Sequence, residues 1–192
     1  SPVRVCSWPK GNPLMVKYHD KEWGRPVAND KKIFEFLVLE SAQAGLSWLT
    51  ILKKRSGYKQ AFADFKPRRV ARFGVRDVAR LVKNPSIVRN RLKVMAAIHN
   101  AQRFLEIQKE FGTFSKYMWN FVKGKPMDGK RKKQTDLPAL SKESMALATD
   151  LKRRGFKFLG PTIVYAHMQA VGMINDHIQS CFRYKELKNL VK

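Results

Sequence analysis

The segment Leu37-Val-Leu-Glu-Ser-Ala-Gln-Ala-Gly-Leu-Ser-Trp48 contains one charged side chain, that of Glu40. Its apolar neighbours predict that Glu40 is buried. A buried carboxylate is costly unless a cationic or hydrogen-bonding group meets it. Glu40 is therefore the first candidate functional residue.

The same segment predicts two helices. Asp30 can cap the first helix, and Gly45 interrupts it before a second helix that begins near Trp48. Apolar residues recur at intervals of three and four along most of the chain, which indicates helix, while sustained alternation is hard to find. We expect an all-α fold.

The remaining boundaries follow from caps, glycines and prolines. Further helices are predicted over residues 58–62, 68–73, 75–82, 90–112, 114–122, 141–155, from 161 onward and 175–181. Residues 123–138 are rich in Lys, Gly and Pro and are predicted to form an exposed basic loop, and 183–192 a basic tail. Residues 1–192 are expected to form a single domain, with two helical lobes as the alternative arrangement.

The charge is strongly unbalanced. Lys and Arg total 39 against 15 Asp and Glu, a formal net charge of +24. Release of counterions from a polyanion would drive binding, so nucleic acid is the first candidate partner. A biased proteome composition and an anionic membrane surface are the alternatives. No apolar run is long enough to span a membrane, and the first residues lack a secretory segment. We expect a monomer in the bacterial cytoplasm near the nucleoid, or in the nucleus of a eukaryote.

Two cysteines and two histidines form a candidate metal site. Cys6 precedes His19 near one end of the chain, and His177 precedes Cys181 near the other. Histidine and cysteine four positions apart on a helix share one face, and two of each suit tetrahedral Zn2+. Such a site would clasp the two ends together. Ordinary buried thiols or a disulfide are the alternatives.

Aromatic residues accompany the same segments. Trp8, Tyr18 and Trp23 lie between or beside the N-terminal candidate ligands, and Trp48 follows Glu40 by eight positions. If these residues come together, they form an aromatic box with one acid. Stacking and cation–π attraction there would favour a flat, cationic ring, such as an extruded damaged base. Ordinary core packing is the alternative.

The segment between the helices predicted over 75–82 and 90–112 has the form of a helix-hairpin-helix. In that motif, backbone N–H groups at the start of the second helix grip a phosphate. Ser86 and Ile87 would lie in the turn, and Arg89, Arg91 and Lys93 would add positive charge. The usual glycines are absent, so an ordinary helix connection is equally compatible.

Five motifs together resemble one enzyme family. They are Arg4-Val-Cys-Ser-Trp8, Tyr18-His-Asp-Lys-Glu-Trp-Gly24, Leu39-Glu-Ser-Ala-Gln-Ala-Gly-Leu-Ser-Trp48, Arg154-Gly-Phe-Lys-Phe-Leu-Gly160, and Asn175-Asp-His177 with Cys181. The chain resembles the DNA-3-methyladenine glycosylase I family from about Cys6 to Cys181. The resemblance implies a helix-hairpin-helix glycosylase fold, structural Zn2+ on Cys6, His19, His177 and Cys181, and excision of 3-methyladenine from alkylated double-stranded DNA.

The resemblance also implies roles for individual residues. Glu40 and Tyr18 would hydrogen-bond the lesion, Trp48 would stack on it, and Trp8 and Trp23 would complete the box. Leu46 would enter the gap left in the duplex.

Three other functions stay open at this point. A bifunctional glycosylase with lyase activity would need a nucleophilic lysine, for which Lys93 is the candidate and a phosphate contact the alternative role. A non-catalytic DNA-binding protein on the same fold would use the charge alone. The aromatic box could instead read a ligand other than nucleic acid. The run Lys130-Arg-Lys-Lys133 is predicted to be a solvated loop, with DNA contact and nuclear targeting as alternatives.

Overall fold

The structure, a computed structural model, describes residues 5–190 and is predominantly helical within that range. Its helices are α1 (Pro13–Lys21), α2 (Asp30–Ala42), α3 (Trp48–Ala61), α4 (Pro67–Val70), α5 (Val75–Leu81), α6 (Arg91–Phe111), α7 (Phe114–Trp119), α8 (Lys142–Arg153), α9 (Pro161–Ala170) and α10 (Phe182–Asn189). Two short strands, β1 (Met127–Asp128) and β2 (Ile174–Asn175), pair in parallel. The prediction of a helical fold is confirmed.

Helix α2 lies at the centre of the molecule. All its residues from Ile33 to Ala42 are buried, because the helix packs against α3, α6 and α9. A helix that is largely apolar around its circumference is stable only when it is enclosed in this way. Glu40 is enclosed with it.

The predicted cap of α2 is wrong by one residue. The side chain of Asn29 caps the helix by accepting from the Lys32 N–H at 3.0 Å. Asp30 is instead the first helical residue, and its carboxylate accepts hydrogen bonds from the backbone N–H groups of Phe114 and Ser115 at 2.8 and 2.9 Å. Asp30 therefore holds the start of α7 against α2.

Helix α3 is longer than predicted. It runs without a break from Trp48 to Ala61 and includes most of the separate helix predicted over 58–62. Residues 63–65 then form a tight turn in which all three have positive φ. Helix α1 was not predicted, although Asn12 caps it and Pro13 occupies its first position.

The C-terminal segment corrects another prediction. Residues 175–181 do not form a helix, because their backbone pairs with β1 and with the segment that follows it. Asn175 belongs to β2, Ile178 bridges to Arg131, and the Gln179 N–H donates to Arg131 O at 2.7 Å. His177 and Cys181 therefore do not share a helical face, and the last helix begins only after Cys181.

The two segments predicted to be exposed also contain packed parts. The predicted loop 123–138 contributes β1, and its Arg131 forms an ion pair with the buried Asp176 at 3.0 Å. Most of the predicted tail 183–192 lies in α10, where Tyr184 and Leu187 are buried. Residues 191–192 of that tail lie outside the described residues.

Within residues 5–190, no helix combines the length and the apolar character that a membrane crossing requires.

Candidate functional site

A cavity of about 240 Å³ lies beside the C-terminal half of α2. Four parts of the chain surround it: the N-terminal segment with α1, helices α2 and α3, the 123–138 segment, and α9. Its lining residues are Trp8, Tyr18, Trp23, Glu40, Gln43, Trp48, Gln134, Leu137, Ala166 and Gln169. The five residues expected to form the box thus meet in one place.

Glu40 is the acid of this cavity. Its side chain is 3% exposed, and its Oε2 has no hydrogen-bond partner among the described residues. Burial raises the pKa of Glu40 from 4.5 to about 8, since no fixed positive charge favours the carboxylate. The side chain is therefore mainly a neutral carboxyl group at pH 7.

Four further polar atoms of the lining lack partners among residues 5–190. They are the indole Nε1 atoms of Trp8 and Trp48, the hydroxyl of Tyr18 and the amide Oε1 of Gln134. Burial, followed by the charge of Glu40, raises the pKa of Tyr18 well above its ordinary value, so the phenol stays protonated. Buried polar groups in folded proteins are nearly always hydrogen-bonded. Several unpartnered groups around one cavity point to a polar ligand.

The aromatic rings pack against one another at the cavity wall. The rings of Trp8 and Trp23 lie 5.1 Å apart at 63°, and those of Tyr18 and Trp48 lie 5.6 Å apart at 51°. These arrangements are within the range of favourable aromatic contacts. The rings therefore form a rigid enclosure suited to a flat heterocycle.

The cavity also contains residues that the sequence did not single out. They are Gln43, Gln134, Leu137, Ala166 and Gln169. Gln134 lies in the segment predicted to be an exposed loop, and no local pattern separates its contribution from an ordinary loop residue. Gln169 lies in a predicted helix whose inward face could not be related to Glu40 without the packing of α9 on α2.

The four candidate metal ligands form a buried cluster next to the cavity. One ligand atom from each of Cys6, His19, His177 and Cys181 lies within 4.8 Å of the others. The Cys6 Sγ to His177 Nδ1 distance is 3.7 Å, and Cys181 Sγ lies 3.5 Å from His177 Nδ1 and 3.6 Å from His19 Nε2. Tetrahedral Zn2+ with ordinary bond lengths gives an S to N separation of roughly 3.6 Å. The cluster therefore fits Zn2+.

The outer nitrogens of both histidines are engaged in a way that suits metal binding. His19 Nδ1 lies 2.7 Å from Asp20 Oδ1, and His177 Nε2 lies 2.8 Å from the Trp23 carbonyl oxygen. These partners hold the ring protons away from the cluster, which leaves His19 Nε2 and His177 Nδ1 free as ligands. Hydrogen bonds, first to Cys6 and then to His177 and His19, lower the pKa of the Cys181 thiol.

The cluster and the cavity share residues of one segment. The ring of His19 lies 5.5 Å from that of Trp8, and the ring of His177 lies 4.7 Å from that of Trp23. Holding the four ligands together therefore also holds one side of the aromatic box.

Lys93 lies at the start of α6 and reaches the end of α2. Its Nζ donates to the carbonyl oxygens of Ala42 and Ala44 at 2.9 and 2.6 Å. The Ala42 carbonyl is among those that a helix C-terminus leaves without partners, and Ala44 lies in the loop that follows. Burial lowers the pKa of Lys93. The ammonium group thus links the hairpin to the loop that follows Glu40.

That loop, residues 43–47, carries Leu46. The Leu46 side chain is 39% exposed and is one of several exposed large hydrophobic residues among those described. The neighbouring Gln43 lines the cavity. Leu46 is therefore exposed at a loop that borders the cavity, as its expected role requires.

The hairpin between α5 and α6 is only partly as expected. Arg89 and Arg91 are exposed, but Ile87 is 1% exposed, so its side chain is a core residue. The Ser86 N–H donates to Asn84 Oδ1 at 2.8 Å, so it already has an acceptor within the turn.

The turn packs closely on α3. A Cβ atom added to Gly57 would lie 2.3 Å from the Ser86 carbonyl oxygen. Glycine at this position is what allows the turn to approach the helix.

Comparison with known proteins shows the family to which this chain belongs. The profile of the family described as methyladenine glycosylase matches residues 8–184. The chain belongs to the methyladenine glycosylase family. The predicted membership of the DNA-3-methyladenine glycosylase I family, and with it the prediction of an enzyme, is confirmed.

Two bacterial relatives match along nearly the whole chain. DNA-3-methyladenine glycosylase 1 of Escherichia coli (strain K12) is 43% identical over 93% of this chain and 96% of its own length. DNA-3-methyladenine glycosylase of Haemophilus influenzae is 39% identical over 92% and 95%, respectively.

Solved structures of this family have the same fold. A crystal structure of 3-methyladenine DNA glycosylase I superposes with a TM-score of 0.91 at 44% identity and covers 93% of this chain and 98% of that one. A second structure is that of 3-methyladenine DNA glycosylase I from Staphylococcus aureus, determined for the structural basis of its recognition of 3-methyladenine. It superposes with a TM-score of 0.91 at 40% identity and covers 95% of this chain and 97% of that one.

Proposed function

We propose that this methyladenine glycosylase flips 3-methyladenine out of alkylated double-stranded DNA and releases it by hydrolysis, without a lyase step. The observation that carries the proposal is the cavity beside α2. It combines aromatic faces with one buried acid, Glu40, and with unpartnered donors on Trp8, Tyr18 and Trp48. A relative of the same fold is described as recognising 3-methyladenine.

The chemistry requires little from the protein besides selection and positioning. Methylation at N3 gives the purine a positive charge while it is attached to the sugar. Cleavage of the glycosidic bond then releases a neutral base, so the leaving group needs no proton. The enzyme mainly has to supply the free energy of extruding the base, which is smallest for a damaged base, and to position that base.

Glu40 would select the cationic base by a change in its own protonation. In the free cavity its pKa is about 8, because it is buried without a compensating charge. A positive ring beside it would lower that pKa and favour the carboxylate. Neutral adenine offers no such charge and gains no cation–π attraction from the box.

On the DNA side, α5, α6 and the turn between them would act as a helix-hairpin-helix. Arg89 and Arg91 are exposed and free to approach phosphates. Leu46, on the loop beside the cavity, would occupy the space left by the flipped base. Lys93 would position that loop through its bonds to Ala42 and Ala44.

Zn2+ would be held by Cys6, His19, His177 and Cys181. Four protein ligands leave no open coordination position, so the ion would stabilise the fold and would not activate water. It would fix the N-terminal segment, which carries part of the aromatic box, against the segment that precedes α10.

The experiment that tests the proposed function measures the free bases that the protein releases from methylated duplex DNA. Chromatography of the released bases should show 3-methyladenine accumulating with time and enzyme concentration. Duplex binding without any released base would instead support a non-catalytic DNA-binding protein.

Lyase activity is expected to be absent. A lyase needs a lysine amine free to attack the sugar, whereas Lys93 Nζ donates to two carbonyl oxygens. Borohydride treatment with a duplex containing an abasic site should trap no covalent protein–DNA adduct. A trapped adduct that disappears in Lys93→Met would contradict this prediction and establish the bifunctional alternative.

The buried acid also predicts how stability depends on pH. Between pH 4.5 and pH 8 the folded chain keeps a proton on Glu40 that the unfolded chain releases. The contribution of Glu40 to stability is thus fully present below its unfolded pKa and is lost as pH rises through its folded pKa.

Glu40→Gln removes this dependence. The unfolding free energy of the variant minus that of the parent should increase by up to about 1.4 kcal/mol for each pH unit between pH 4.5 and pH 8. Denaturant unfolding at several pH values measures it. A difference that stays constant between pH 4.5 and pH 8 would show that the carboxyl group is not perturbed by burial.

A further inference from the structure

The stretch from Lys66 to Lys93 is strongly basic. It contains ten Lys and Arg residues and one acid, Asp77. Its second half includes the hairpin turn and the basic residues beside it, which the proposed function uses. Its first half carries cations that the proposed function does not use. Five of them are exposed and form what we call the α4 patch: Lys66, Arg68, Arg69, Arg72 and Arg76.

Within residues 5–190, no acid forms an ion pair with the α4 patch. The acids nearest to it in sequence have other partners, since Asp64 pairs with Lys31 at 2.7 Å and Asp77 pairs with Arg80 at 3.3 Å. Crowded charges of one sign repel one another and lower the stability of a compact fold. A bound polyanion would remove this repulsion.

The backbone that carries the α4 patch is held against α6. Val70 of α4 is 0% exposed, and α4 packs along α6. The Ala71 carbonyl oxygen accepts a hydrogen bond from Gln102 Nε2 at 3.2 Å. Because this backbone is already fixed, binding a ligand there requires little ordering of the chain.

The α4 patch is separate from the hairpin. Gln102, which contacts Ala71 beside the patch, lies about 16 Å along α6 from Arg91 at the start of that helix, at a rise of about 1.5 Å per residue. Successive phosphates of one DNA strand are about 3.4 Å apart along the duplex axis, so this distance equals about five base pairs. The patch therefore meets phosphates other than those near Arg91.

Arginine, which supplies four of the five patch residues, is well suited to phosphates. Its planar guanidinium can donate two parallel hydrogen bonds to a phosphate, and it stays charged at physiological pH. Neutralising several phosphates releases the counterions that are condensed on a duplex. This release gives affinity that does not depend on base sequence and lets a protein move along DNA.

We propose that the α4 patch is a second duplex-binding surface, which contacts phosphates outside the lesion site and holds the enzyme on undamaged DNA. The proposal goes beyond the proposed function, because it concerns neither the cavity nor the hairpin. It also gives a role to part of the net charge of +24.

The test measures how the affinity for undamaged duplex depends on salt. In Arg68→Gln/Arg69→Gln/Arg72→Gln, the slope of log K against log salt concentration should be smaller by about 2 to 3, because each lost phosphate contact removes about 0.9. Arg68→Lys/Arg69→Lys/Arg72→Lys keeps the charge and should keep the parent slope. A reduced slope in the lysine variant as well would show a packing role and overturn the proposal.

The matched control removes the same charge elsewhere. Lys109→Gln/Lys125→Gln/Lys142→Gln changes three exposed lysines outside the α4 patch and should keep the parent slope. An equal fall in both glutamine variants would show an effect of net charge alone and overturn the proposal, and so would the parent slope in the arginine-to-glutamine variant. If that variant does not fold, Arg68→Gln alone decides: a slope smaller by about 0.9 supports the proposal, and the parent slope overturns it.

An anionic membrane surface is the competing partner for a basic patch. Vesicles of equal parts phosphatidylcholine and phosphatidylserine test it with the same variants. Loss of vesicle binding together with the parent slope on DNA would assign the patch to lipid and overturn the proposal. All these comparisons require only binding, so a parent chain that binds duplex but releases no base overturns the proposed function and leaves this proposal intact.

Discussion

Glu40→Gln is expected to lower the rate of 3-methyladenine release from methylated DNA by about 100-fold, the range found when one polarising group of a catalytic site is removed. The substitution preserves the size of the side chain but removes its ability to become negative. The bound cationic base then lies in an apolar cavity without a compensating charge, so the state in which the glycosidic bond breaks is stabilised less.

General DNA affinity should change little in this variant. Glu40 is 3% exposed and does not reach the protein surface, whereas duplex binding depends on exposed basic side chains. The salt dependence of binding to undamaged duplex measures this contribution of the basic side chains separately. The matched control is Glu106→Gln, an exposed carboxyl group on α6 that should release the base at the parent rate.

An unchanged rate in Glu40→Gln would remove this residue from the mechanism. A parallel loss of duplex affinity and base release would point instead to a structural defect. The two measurements together separate these results.

Chelation of the proposed Zn2+ is expected to have the largest effect on stability. The protein should contain about one Zn2+ per chain by elemental analysis, and chelation should lower the free energy of unfolding by several kcal/mol. The physical reason is that the four ligands come from opposite ends of the chain and are brought within 4.8 Å of one another. Without the ion, two thiols and two imidazoles would remain buried together.

Cys181→Ser should reproduce the effect of chelation, with loss of bound Zn2+ and a lower melting temperature. His99→Gln is the matched control, because His99 contacts the Gly155 carbonyl oxygen and lies outside the cluster. That variant should retain its metal. Metal-free protein with the stability of the parent chain would contradict the clasp.

Several features of this fold could be predicted from local sequence. The apolar neighbours of Glu40 predicted its burial, and Ser141, Pro161 and Gly112 marked helix ends that the structure reproduces. Such signals work because a cap or a helix terminus depends on residues within one turn. The prediction that Asp30 caps α2 was wrong because its side chain binds a group that is distant in sequence. It accepts a hydrogen bond from the backbone N–H of Phe114 at the start of α7.

The four candidate metal ligands show how residues that cluster in the structure can be singled out on the basis of an incorrectly predicted element. Spacing suggested His177 and Cys181 because four residues separate neighbours on a helical face. The structure brings the two side chains together by a turn after β2, since pairing with the segment around Arg131 prevents a helix there. The chemical types of the ligands were informative, whereas the assumed geometry was wrong.

Local sequence was sufficient to predict a helical fold with a buried acid, because hydrophobicity, capping and residue type act locally, and the resemblance of five motifs to a known family indicated a methyladenine glycosylase. The completed cavity could not be derived in the same way. Gln169 acquires its orientation from Asp176, and Asp176 from Arg131 in another segment. Lys93 likewise reaches the end of α2 from α6. Such hydrogen bonds join residues far apart in the chain, and only the packing of α6, α9 and the 123–138 segment around α2 brings them within bonding distance.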